Sequence, residues 1–70
     1  MNITTNTEKL LAHKDGAAGW ITFNNPAKRN VFDAEVRERL ADAIGQIRRD
    51  PTVRALVLTG AGGHFCSGGD

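Results

Sequence analysis

The sequence predicts an α/β fold of order ββαβ, and three observations predict it. A turn signal, Asp15-Gly16, separates two short runs of strand character. A stretch from Val36 to Ile47 repeats apolar residues at helical spacing. A nearly continuous apolar run then fills Val53 to Thr59, the pattern of a strand in a parallel sheet.

Residues 1–8 are polar and irregular and read as a loose lead-in. Lys9 to Lys14 reads as the first strand and Gly19 to Asn24 as the second. In the second, Ile21 and Phe23 face one way and Trp20 and Thr22 the other, the period of two that a pleated strand requires. Asn24-Asn25-Pro26 breaks the strand, and Ala27 to Phe32 is a loop. Asp33 suits a helix N-cap, because its carboxylate can accept an orphan backbone N–H. Val36, Leu40, Ala43, Ile44 and Ile47 form the apolar face of the helix that follows, and Glu35 and Arg39 stand at i,i+4 as a supporting ion pair. Asp50-Pro51 ends it, since proline disfavours helical geometry in the residue before it. The Val53 to Thr59 strand is expected to be buried on both faces and to close a right-handed βαβ crossover. One helix cannot cover both faces of such a strand, so residues 1–70 read as the first part of a longer single domain.

Composition excludes several function classes. Nine Lys and Arg against eight Asp and Glu give no global attraction to nucleic acid or an anionic membrane. No run approaches the roughly 18 apolar residues of a membrane span. The N-terminus has neither the basic start nor the apolar stretch of a secretory signal. A single cysteine, Cys66, permits no internal disulfide, and with His13 and His64 it offers no metal-ligand spacing. A reduced, cytoplasmic setting is the expectation.

Chemistry concentrates between Gly60 and Asp70. Loops at the carboxyl ends of strands in open α/β sheets gather ligands, and this loop follows such a strand. Ser67-Gly68-Gly69-Asp70 has the form of a capping box, with Ser67 as the N-cap. That arrangement leaves the N–H groups of Gly68 and Gly69 without partners inside the helix. Such groups at the positive end of a helix attract an oxyanion, and glycine lets a ligand carbonyl approach. One donor of this kind is worth about 2.7–4 kcal/mol in a transition state. Spacing alone leaves two readings open, an ordinary glycine turn or an oxyanion site. Gly60-Ala61-Gly62-Gly63-His64-Phe65 begins like a dinucleotide fingerprint, but Phe65 holds the third glycine position. Cys66 reads as a small buried hydrophobe, His64 as a surface loop residue, and Trp20 and Phe23 as core or strand-face residues. Lys28-Arg29 is a basic pair that is solvated by default, or a phosphate contact where a ligand passes. The helix macrodipole accounts for Arg48-Arg49.

Four segments in order carry a family resemblance: Trp20 to Pro26 with Arg29-Asn30, the helix, Arg54 to Gly60, and Phe65 to Asp70. Together they resemble the N-terminal part of the crotonase (enoyl-CoA hydratase/isomerase) superfamily. The resemblance implies the start of a spiral of ββα units, one acyl-CoA-binding domain, and assembly as a homotrimer or hexamer. It implies a catalytic role for the backbone N–H of Gly69, which meets the thioester oxygen. It also implies that the loop of Lys28, Arg29, Asn30 and Val31 lies along coenzyme A, with contacts from Lys28, Arg29 and Val31 and Arg29 as the charged one, and further ligand contacts from Ser67, Gly68, Gly69 and Asp70. Val31 stands where the family often has a smaller residue. Coenzyme A is then part of the substrate, and no separate cofactor, metal, nucleic acid or membrane is expected.

The second oxyanion donor and the catalytic carboxylates are expected beyond Asp70, so the 70 residues alone are expected to be inactive. Hydration of a 2-enoyl-CoA is the leading reaction, with double-bond isomerisation next. Phe65 to Asp70 also resembles the corresponding loop of dihydroxynaphthoyl-CoA synthases. A non-catalytic coenzyme A-binding or assembly protein of the same fold is the alternative from another class.

Overall fold

The computed structural model describes residues 3–66. Strand β1 (Leu10–Asp15), strand β2 (Ala18–Phe23), helix α1 (Ala34–Arg48) and strand β3 (Ala55–Gly60) follow one another in the expected ββαβ order. Short 3-10 turns occupy Pro26–Lys28 and Ala61–Gly63. The sheet order is β1-β2-β3, antiparallel between β1 and β2 and parallel between β2 and β3.

The hairpin turn sits one residue later than Asp15-Gly16 implies. Asp15 pairs with Ala18, so Gly16 and Ala17 form the turn and Gly16 takes the positive φ of 60°. β1 therefore runs one residue later, and β2 one residue earlier, than the sequence implies. The alternation in β2 holds: Ile21 and Phe23 are buried, while Trp20 and Thr22 are half-buried on the other face. Trp20 stacks there on His13 across the ladder, with ring centroids 5.9 Å apart.

Asp33 caps α1 as its chemistry requires, its side chain accepting from the Val36 N–H at 2.8 Å. Val36, Ala43 and Ile47 bury the apolar stripe of the helix against Leu10, Ile21 and Phe23, with Leu40 and Ile44 packed at its margin. Glu35 does not pair with Arg39. It turns instead to Lys9 at 2.9 Å, which also reaches Asp33 at 3.0 Å.

Two expectations are corrected. Residues 3–8 are not a loose lead-in, because the Gln46 amide holds the Thr4 backbone from both sides. It accepts from the Thr4 N–H at 3.0 Å and donates to the Thr4 carbonyl at 2.6 Å. Ile3 packs on the core beside this strap. Among the described residues β3 is not buried on both faces either: it is the edge of the sheet they form, and Leu56 and Leu58 are 42% and 40% exposed there. The apolar stripe of α1 is filled by β1 and β2 before it reaches them.

Candidate functional site

Both polar segments singled out by the sequence lie at one end of the sheet, after the carboxyl ends of β2 and β3. The first is the turn Asn25–Val31. Its backbone folds on itself: the Asn25 carbonyl accepts from the N–H groups of Lys28 at 3.0 Å and Asn30 at 2.8 Å, and the Pro26 carbonyl accepts from Arg29 at 3.0 Å. This geometry places Arg29 and Asn30 in succession in the left-handed region, at φ 54° and 56°. Two consecutive non-glycine residues there are uncommon, and asparagine tolerates it best. Lys28 and Arg29 are exposed, Val31 is half-buried, and among the described residues neither cation is paired with a carboxylate.

The second segment is the loop 60–66. Gly60 continues the extended strand, Gly62 turns at φ 78°, and His64 is extended and exposed, as expected of a surface loop residue. Phe65 lies edge-on against Phe23 at 5.3 Å, although half of its surface is exposed. Phe23 also receives Phe32 edge-on at 6.3 Å, which makes it the hinge pin between the two segments. Cys66 is half-buried. Gly62 seats directly on Pro26: a Cβ at Gly62 would stand 2.5 Å from the Pro26 Cβ.

Ser67, Gly68, Gly69 and Asp70 lie outside the described residues, so the capping box and the Gly69 amide have no geometry here. The structure brings the Lys28–Val31 turn and the loop leading toward Gly69 into contact. It also exposes a residue that motif reasoning missed as a structural actor. Asn30 is only 1% exposed and reaches across to the second loop through its amide. The available signal was an asparagine in a tight polar turn, where a left-handed residue is expected.

Elsewhere, Arg48 and Arg49 line a surface concavity of about 280 Å³ with Gly45 at the C-terminal end of α1. The negative end of the helix dipole there opposes an anion. Among the described residues, no group of three His, Cys, Asp or Glu could hold a metal ion, and no helix is long and apolar enough to cross a membrane.

Comparison with known proteins gives consistent matches. A sequence model of the enoyl-CoA hydratase/isomerase family matches residues 13–70. The chain is 41% identical over 63 residues to a 1,2-epoxyphenylacetyl-CoA isomerase of Escherichia coli K12, covering 90% of this chain and 24% of that protein. It is 38% identical over 60 residues to enoyl-CoA hydratase EchA19 of Mycobacterium tuberculosis, covering 86% and 23%. Among solved structures, a carnitinyl-CoA dehydratase from Mycobacterium avium superposes with a TM-score of 0.84 at 43% identity, over 91% of this chain and 25% of that one. An enoyl-CoA hydratase/isomerase from Marinobacter aquaeolei superposes at 0.83 and 42% identity, over 91% and 24%. The chain therefore spans about a quarter of the length of these relatives.

Proposed function

The chain belongs to the enoyl-CoA hydratase/isomerase family of the crotonase superfamily, and on that premise we propose that the full-length protein binds an acyl-CoA thioester and stabilises the enolate-like anion formed from it. The observation that carries this reading is the junction of the two loops. A turn bearing two exposed cations, Lys28 and Arg29, rests on the loop that runs on to Gly68-Gly69. Coenzyme A presents phosphates, and a thioester presents a carbonyl oxygen that gains charge during reaction. The cations of one loop answer the first demand, and the Gly69 amide we assign to the sequence that follows the other loop would answer the second.

The division of labour follows from the chemistry. Lys28 and Arg29 meet the anionic part of coenzyme A, and Val31 lines its path. The Gly69 N–H donates to the thioester oxygen, while Ser67, Gly68 and Asp70 contact the ligand beside it. When water adds to the β-carbon of a 2-enoyl-CoA, electron density moves onto that oxygen. The same oxygen gains charge when a proton is removed to shift a double bond. The relatives' names support a shared thioester step, since they pair coenzyme A compounds with isomerase, hydratase and dehydratase activities. Hydration is the reaction we assign. Its carboxylate and second oxyanion donor belong to positions beyond Asp70, and coenzyme A enters as part of the substrate. Assembly as a trimer or a pair of trimers belongs to the same proposal.

The test is Gly69→Pro in the full-length protein, which deletes the donor. Crotonyl-CoA hydration is expected to fall about 10²–10³-fold in kcat, with free coenzyme A still bound. Undiminished turnover would remove Gly69 from the mechanism.

A further inference from the structure

The junction between the two loops depends on one buried amide. Oδ1 of Asn30 accepts from the Asn25 N–H at 2.7 Å. Nδ2 of the same side chain donates to the carbonyls of Ala61 at 2.9 Å and His64 at 2.8 Å. Both amide hydrogens and the oxygen are therefore used, in a residue 1% exposed. The first bond shapes the turn of Asn30 itself, and the other two cross to the loop after β3, 31 and 34 residues further along the chain.

The surroundings show that this placement is held in from several sides. Asn30 sits at φ 56°, next to Arg29 at 54°. Non-glycine residues keep such conformations where the surrounding structure over-determines them, and they cluster at ligand clamps. The same two loops also meet where Gly62 seats on Pro26, and Phe65 anchors the second loop on Phe23. Helix α1 takes no part in these contacts, and the hairpin enters them only through Phe23 at the end of β2. A link that ties two ligand-contacting loops to each other, and not to the core alone, fixes the distance between them.

We propose that Asn30 is a positioning residue that sets the separation between the Lys28–Arg29 turn and the loop leading to Gly69, so that the phosphate end and the thioester oxygen of one acyl-CoA are held in register. This rests on the acyl-CoA reading above and adds a residue that touches neither the ligand nor the reacting atoms. Its two kinds of bond have separable effects. Asn30→Asp keeps the acceptor for Asn25 but turns an oxygen toward the Ala61 and His64 carbonyls, which repel it. Asn30→Ala loses both.

The experiment compares wild type, Asn30→Asp, Asn30→Ala and Gly62→Ala in the full-length protein. It measures kcat and KM for crotonyl-CoA, calorimetric binding of free coenzyme A, and amide hydrogen exchange. Asn30→Asp is expected to keep the Asn25 amide protected while kcat falls at least about tenfold, a loss typical of misplaced catalytic groups. Its affinity for free coenzyme A, which has no carbonyl to register, is expected to change less than about threefold. Gly62→Ala pushes the turns apart without touching Asn30 and is expected to lose kcat in the same way. It carries the test should the Asn30 variants fail to fold. Wild-type kcat in folded Asn30→Asp or in Gly62→Ala would overturn the positioning role while leaving the acyl-CoA reading intact. A wild-type protein that neither binds coenzyme A nor hydrates crotonyl-CoA would overturn that reading, and the positioning role with it.

Discussion

Asp33 serves two partners with one carboxylate. Oδ1 accepts the Val36 N–H and Oδ2 receives the Lys9 ammonium at 3.0 Å. The Val36 N–H, and then Lys9, hold its carboxyl below the usual range. Glu35 is lowered in the same way, chiefly by Lys9, and Lys9 is raised by both, chiefly by Glu35. Removing the cap with Asp33→Ala is expected to lower the denaturant midpoint of the full-length protein, because the Val36 N–H loses its acceptor. Lys9→Met is expected to lower it less, because solvent screens partly exposed ion pairs. A cost at Lys9 larger than at Asp33 would reverse that order. Asp33 was legible in the sequence because its main partner is three residues away. Asn30 was not, because the partners that give it a purpose lie more than thirty residues on and are backbone carbonyls that no motif encodes.

The elements themselves were readable from periodicity, and their deviations have local causes. The hairpin slipped by one residue because Gly16 took the first turn position with Ala17 as the second. The helix stripe held, while Gln46, on its polar side, acquired the strap to Thr4 that no short-range rule suggests. A second tie joins the end of β1 to the turn before β3. Lys14 reaches Asp50 at 3.1 Å and also donates to the Thr52 hydroxyl, and the Asp50 side chain is only 8% exposed. The Thr52 hydroxyl, then its backbone N–H, then Lys14 pull the Asp50 carboxyl down from 3.8 to about 2. A depressed carboxylate stabilises the fold fully above its unfolded value, and that contribution disappears as pH falls through the folded value. The stability advantage of wild type over Asp50→Asn is therefore expected to shrink between pH 3.8 and about 2. Parallel melting curves of the two proteins across that window test it, and a constant gap would show that this latch adds nothing.

At the scale of the whole molecule, the described residues form a hairpin, a helix and an edge strand around one small core. The apolar run of β3 correctly announced a parallel strand, and among the described residues α1 packs on the hairpin and leaves Leu56 and Leu58 uncovered. The fold order and the cation-bearing turn were thus legible from pattern and resemblance. The coupling between the loops required three dimensions.

The central claim is that a thioester oxygen meets the Gly69 amide beside a cation-bearing turn. Amide NMR of the full-length protein, titrated in parallel with acetyl-CoA and with free coenzyme A, tests it most directly. Both ligands are expected to move the Lys28 to Val31 resonances, and only acetyl-CoA, which carries the carbonyl, should shift Gly69 downfield. A Gly69 resonance that responds equally to both ligands, or to neither, would contradict the account.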